Sequence, residues 1–201
     1  MKDQLIIALG RENGSGGHEV AIALAEKLGI TLYDTKVLRG FIEKSGLALQ
    51  STPNEWDEKR IRFFSATRED KFNTSKEQVA ATLTFQFLRT EAEAGHSFVI
   101  VGRAADAVLR DYPNMVSVFV HASEDYKVSR IVAQRQCTEK EAARDIKAVD
   151  KQRRKYHDFY AKTKWGQASS YDLTLNSSYL PKDRLADQII YYAKLKVPEA
   201  F

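Results

Sequence analysis

Short apolar runs alternate with longer amphipathic stretches along this chain. Leu5, Ile6, Ile7, Ala8 and Leu9 form an unbroken apolar run, the pattern of a strand covered on both faces. From about residue 18 the period changes. Val20, Leu24 and Leu28 recur every four residues, and Gly29 supplies a C-terminal stop. Thr31, Leu32 and Tyr33 predict a short second strand ending at Asp34. Strand, glycine-rich turn, helix and strand in that order predict a right-handed βαβ unit, and with it a parallel sheet.

The pattern predicts a helix over 35–46 and a loop over 46–53. Thr52-Pro53-Asn54-Glu55 combines a capping box with proline at the first helical position, so a further helix is expected to start there. Another is expected from Ser75, carrying Val79, Leu83, Phe87 and Leu88 and stopping at Gly95. Residues 35–95 thus read as a helical excursion between strands. Strand character returns at 97–101 and, after the turn signal Pro113-Asn114, at 116–120. Ser123 and the box Thr138-Glu139-Lys140-Glu141 open helices over about 124–136 and 139–163. A fifth strand is expected at 171–175 and a last helix from Pro181 to about residue 195. No internal repeat or low-complexity segment interrupts this order.

Between the first strand and the first helix lies Arg11-Glu12-Asn13-Gly14-Ser15-Gly16-Gly17-His18-Glu19. Gly14, Gly16 and Gly17 permit positive φ and close approach, so with Ser15 the backbone N–H groups can converge on one anion. The helix that follows adds its own open N–H groups and the positive end of its dipole. This stretch reads as a phosphate cradle. A loop of the form G-x-x-x-x-G-K-[ST] would place lysine and then a hydroxyl after its last glycine, and those places hold Gly17 and His18.

Composition narrows the class. The 201 residues are 43% hydrophobic and 29% charged, as in globular proteins with one well-buried core. No apolar run approaches the ~18 residues that span a bilayer, so no membrane partner is expected. Cys137 is the only cysteine, which excludes an intrachain disulfide and makes a cytoplasmic setting the default expectation. The net charge of +4 is unevenly placed: residues 130–164 hold eleven Lys/Arg against five Asp/Glu, a net of +6. Folded over the glycine loop, these helices would bring arginines to a polyphosphate. Tyr156, Phe159, Tyr160 and Trp165 interleave with the charge and could stack on bases. Positions 156, 159, 160 and 163 also trace one helical face, which favours core packing. Nucleic acid is therefore ranked last as a partner, since it explains neither the glycine loop nor Asp34.

Several blocks together resemble the cytidylate kinase-like family, a branch of the P-loop nucleoside monophosphate kinases. They are Arg11 to Gly17 after the first strand, Tyr33-Asp34, and Val101-Gly102-Arg103-Ala104-Ala105-Asp106 after the third strand. Asp150-Lys151-Gln152-Arg153, then Trp165-Gly166 with the run from Tyr171 to Ser178, complete the series. The resemblance implies an α/β fold of the P-loop kinase type: a three-layer sandwich with a five-stranded parallel sheet and helices on both faces. It also implies a helical insert at 35–95 that binds the nucleoside monophosphate and a helical lid within 124–163, in one domain over 1–201. ATP, Mg²⁺ and a nucleotide acceptor are the ligands so implied. Asp34, Arg103, Asp106 and Asp150 would face the acceptor, and Arg130, Arg135 and Arg153 would contact phosphates. Guanidinium-to-phosphate pairing is the physical reason for arginine there.

The chain departs from the cytidylate kinase pattern at chemically important places. Gly17 stands at the phosphate-binding lysine and Glu19 at the Mg²⁺-binding hydroxyl. Ala104 replaces an acid, and Gly40 an arginine, beside Arg39. If the protein transfers a phosphoryl group, a cation from elsewhere must act, with Arg11 and His18 nearest and the lid arginines next. Two functions are open at this point. One is a kinase acting on CMP, dCMP or a similar small acceptor; the other is a nucleotide-binding sensor with little or no catalysis.

Overall fold

The computed structural model describes residues 3–44 and 75–201. Five strands form one sheet: β1 (Ile6–Arg11), β2 (Thr31–Tyr33), β3 (Phe98–Val101), β4 (Met115–His121) and β5 (Leu173–Asn176). Their order is β2-β3-β1-β4-β5, and every pairing is parallel. All five carboxyl ends therefore share one edge. In open parallel sheets ligands bind at that edge, where successive crossovers diverge.

The unbroken apolar character of β1 follows from its central position. Ile7 and Leu9 pack against α1 (Gly17–Leu28) and α7 (Lys182–Lys196) on one face. Ile6 and Ala8 face the other layer, which includes α2 (Thr35–Lys44), α3 (Ser75–Glu93) and the short α4 (Ala105–Val108). Burial on both sides removes the apolar–polar alternation of a half-exposed strand. Gly29 closes α1 in the left-handed conformation, its N–H donating to the carbonyls of Ala25 and Glu26.

Two helices, α5 (Glu124–Arg135) and α6 (Glu139–Tyr160), pack on each other through Ile131, Ala142 and Ile146. Ser123 caps the first and Thr138 with Glu141 forms a capping box on the second, as the sequence predicts. The remaining helix and strand bounds fall within a few residues of expectation. The end of the helix expected over 35–46, the loop expected over 46–53 and the helix expected to start at 52–55 lie outside the described residues.

Two apolar assignments need correction. Val79 is 40% exposed; the buried line of α3 is Ala80, Thr84, Leu88 and Ala92, so small residues make the close approach. Phe159 is 56% exposed, because the inward positions of α6 near its end belong to the half-buried Tyr156 and Tyr160 and the buried His157. Trp165, by contrast, is buried beyond the helix, edge-on to Phe119 with ring centres 5.1 Å apart.

Leu24 has no exposure and contributes to the α1–sheet layer. Leu24→Ala is expected to cost about 2–5 kcal/mol, read as a lower urea midpoint with an unchanged m-value.

Candidate active site

The glycine loop continues β1 at the carboxyl edge. Glu12 N donates to Val120 O at 3.0 Å, extending the β1–β4 ladder by one residue. Gly14 (φ 81°) and Gly16 (φ 77°) then turn the chain through left-handed conformations. A side chain at Gly14 would meet the Lys127 carbonyl oxygen at 2.9 Å, so glycine also lets α5 approach. Ser15 is fully buried; its Oγ donates to Glu12 O at 2.8 Å and accepts from Gly17 N at 3.3 Å. From below, Ser177, just past β5, places its Oγ 2.6 Å from Ser15 O and 3.0 Å from His121 O.

At the start of α1, Gly16 is the N-cap residue and makes no side-chain cap. Among the described residues, the N–H groups of Gly14, Gly16 and His18 have no protein acceptor. Two buried side-chain donors nearby are also unsatisfied, Asn13 Nδ2 and Arg130 Nε. Open donors around a glycine cradle fit a polyphosphate.

The missing lysine has a geometric counterpart. Setting Gly16 on the second glycine of G-x-x-x-x-G-K-[ST] puts Arg11 on the first and Gly17 on the lysine. A Cβ at Gly17 would lie 2.5 Å from Arg11 Cβ and 3.1 Å from its Cγ. The Arg11 side chain therefore passes through the space next to Gly17. Its guanidinium reaches the end of β3, where Nη1 would sit 2.5 Å from a Cβ at Gly102.

Helix α5 contacts this loop through charge. Lys127 Nζ pairs with Glu12 Oε2 at 2.8 Å, and Arg130 Nη2 with Glu19 Oε1 at 2.6 Å. The two cations lie three residues apart on one face of α5 and answer the two acids of the loop. Glu19 thus faces a guanidinium rather than standing bare at the helix start. From α6, Asp150 accepts from Asn13 N at 2.7 Å, and Arg153 Nη1 donates to Arg11 O at 3.1 Å. Burial raises the Asp150 carboxyl to about 6, although the Asn13 N–H and the Arg153 charge pull it down. Arg135 is directed elsewhere, pairing with Asp145 at 2.8 Å between α5 and α6.

At the end of β2, Asp34 caps α2, accepting from Lys36 N and Val37 N at 2.9 and 3.0 Å. Its other oxygen lies 3.7 Å from His18 Nε2. His18 is 46% exposed there, so the imidazole extends toward Asp34. After β3 the backbone is left-handed at three successive residues: Gly102 (φ 74°), Arg103 (φ 60°) and Ala104 (φ 51°). Such a conformation costs about 1–2 kcal/mol for each non-glycine residue. Arg103 engages Tyr156, its guanidinium carbon 5.6 Å from the ring centre. Burial lowers the Arg103 pKa, Tyr156 opposes that, and the like charges of Arg153 and Arg39 push it lower still. Guanidinium groups from β1, α2, the β3–α4 turn and α6 thus gather beside the loop. Asp106 is bound to His157, Oδ2 to Nε2 at 2.9 Å, rather than standing with Asp34 and Asp150.

Fold and loop together define a P-loop kinase architecture, and solved structures agree. At 11% identity the chain is similar to a sugar kinase from Janibacter sp. HTCC2649 over 98% of its length and 99% of that chain, with a TM-score of 0.59. At 14% identity it is similar to shikimate kinase from Acinetobacter baumannii in complex with shikimate, over 96% and 92% of the two chains, with a TM-score of 0.52. The chain belongs to the cytidylate kinase-like family, whose profile matches residues 6–179. It is 35% identical to an uncharacterized protein from Eubacterium ventriosum ATCC 27560, over 95% of this chain and 99% of that one, with a TM-score of 0.76. No curated protein matches it significantly.

Sequence reasoning missed Lys127, Tyr156, His157 and the role of Ser177. For Lys127 a signal existed, because it stands three residues before Arg130 on the same helical face. His157 carried none.

Gly17→Ala is expected to destabilise the fold by about 1–3 kcal/mol through overpacking, and Arg11→Gly in the same chain should recover more than half of that loss. A double-mutant cycle in urea measures the coupling. Asp150→Asn keeps an oxygen acceptor for Asn13 N and removes a buried charge. Because the folded carboxyl has a raised pKa, wild-type stability falls as pH rises from about 4 through about 6. The variant should therefore gain on wild type, by about 1–3 kcal/mol at pH 8 relative to pH 4, in urea unfolding at both pH values.

Proposed function

We propose that this protein is an ATP-dependent phosphotransferase acting on CMP, dCMP or a similar small acceptor. One observation carries the reading: Arg11, Arg39, Arg103 and Arg153 gather from four elements in the crevice beside an open-donor glycine loop. Like charges crowded together are stabilised by an anion between them, and phosphoryl transfer is chiefly positioning and charge neutralisation.

In this reading Gly14, Ser15, Gly16 and Gly17 hold the ATP phosphates through backbone N–H groups, with Asn13 and Arg130 supplying side-chain donors. Arg11 provides the charge that a lysine at position 17 would otherwise provide. Arg103 and Arg39 bind the acceptor's own phosphate, and Arg153 spans the two sides. His18 and Asp34 border the acceptor space. Bound ATP supplies the transferable phosphoryl group, and Mg²⁺ offsets its charge. Among the described residues no group of three or more His, Cys, Asp or Glu is placed to hold a metal ion, and in this reading Mg²⁺ is held by phosphate oxygens and water.

The lysine-free loop also fits nucleotide binding without turnover, and one assay separates the two. ADP release is measured with ATP, Mg²⁺ and each of CMP, dCMP, UMP, AMP and GMP. Acceptor-dependent turnover is expected, with Arg11→Ala lowering kcat about 10²–10³-fold, as for loss of one charge-stabilising group. Binding of ATP and CMP in calorimetry without turnover would instead establish the sensor reading.

A further inference from the structure

The left-handed turn after β3 persists only if its surroundings over-determine it, and those surroundings include two adjacent residues of α6. Tyr156 engages Arg103, while His157 Nε2 meets Asp106 Oδ2 at 2.9 Å. His157 is 4% exposed, and its second nitrogen, Nδ1, lies 3.3 Å from Asp158 Oδ1. That same oxygen accepts from Trp165 N at 2.9 Å, and Trp165 packs on Phe119 of β4. A buried imidazole between two carboxylates therefore ties together the β3–α4 turn, the lid helix and the segment that follows it. Buried networks of this kind are rigid when every member is satisfied.

We infer that His157 is a positioning residue for Arg103: through Asp106 it pins the left-handed turn to α6, and so fixes where the guanidinium meets the acceptor. The identity of the acceptor rests on the phosphotransferase reading; the pinning of Arg103 does not. His157 acts through its carboxylate partners, so its loss should affect acceptor binding and leave the ATP side intact. The groups facing it are Asp106 from α4, Asp158 on its own helix, the Tyr171 ring at 6.4 Å, and Lys164, whose Nζ is 3.7 Å from Asp158 Oδ2. Burial opposes charge on the imidazole, but the two carboxylates outweigh it and raise its pKa. The imidazolium therefore persists up to that raised value and loses its charge as pH rises through it.

The test uses the full chain with His157→Phe and His157→Gln. KM for acceptor and for ATP are measured separately across pH, and the Arg103 Nε–H resonance, assigned by its loss in Arg103→Lys, is followed by ¹⁵N NMR. His157→Phe should raise the acceptor KM at least tenfold, leave the ATP KM within twofold, and shift or broaden the Arg103 signal. His157→Gln, whose amide can still donate to Asp106, should restore the acceptor KM to within threefold and abolish the alkaline fall in acceptor kcat/KM. A parallel rise in both KM values, or an unmoved Arg103 signal in His157→Phe, overturns the inference. If His157→Phe does not fold, persistence of the alkaline fall in His157→Gln overturns it. If wild type turns over no acceptor, the kinase reading fails while the Arg103 resonance still decides the pinning: displaced in His157→Phe and native-like in His157→Gln supports it, unmoved overturns it.

Discussion

Arg11 and Gly17 compete for one volume at the mouth of the sheet. A Cβ at Gly17 would stand 2.5 Å from that of Arg11, so the chain can carry a long cation at the end of β1 or at the start of α1, but not both without rearrangement. Relative to a lysine-bearing P-loop, the charge has moved from one end of the turn to the other. The glycine left behind keeps the helix start open, and the arginine projects across the crevice to Gly102. The approach of β3, the glycine at its end and the Arg153 contact to the Arg11 carbonyl are all compatible with that one exchange.

The second organising element is the way α5 and α6 divide their labour. Lys127 and Arg130 neutralise the acids of the loop, whereas Asp150 and Arg153 contact its backbone. One helix thus adjusts the charge of the cradle, and the other holds its shape. Further along α6, Tyr156 and His157 do the same for the β3–α4 turn. The glycine loop and the β3–α4 turn are consequently both held by a single helix.

Much of the fold was legible because it depends on local patterns: the unbroken apolar run of a doubly covered strand, the four-residue repeat of α1, Gly29 as its stop, and the caps at Ser123 and Thr138. The outward placement of Val79 was not, because hydropathy rewards size whereas close packing of α3 rewards Ala80 and Ala92. The cradle was legible from glycine spacing. What Arg11 does there was not, since it depends on a distance across a turn that no period reports. Glu19 with Arg130, and Asp106 with His157, meet across 111 and 51 residues. Only the packing of elements brings such partners together, and a lone histidine within a basic helix gives no sign of its carboxylates.

Ser177 shows how the completed sheet holds the glycine loop. Its hydroxyl engages the Ser15 carbonyl from beneath the loop, so the peptide preceding Gly16 has its oxygen turned downward and its N–H turned up. Unliganded loops ordinarily sample many such peptide orientations, and binding must then freeze one of them. Here the residue that follows the last strand of the sheet supplies a partner for one of them. The hydrogen bond that orients this peptide therefore comes from about 160 residues downstream of the loop, so the shape of the turn depends on the completed sheet as well as on its own glycines.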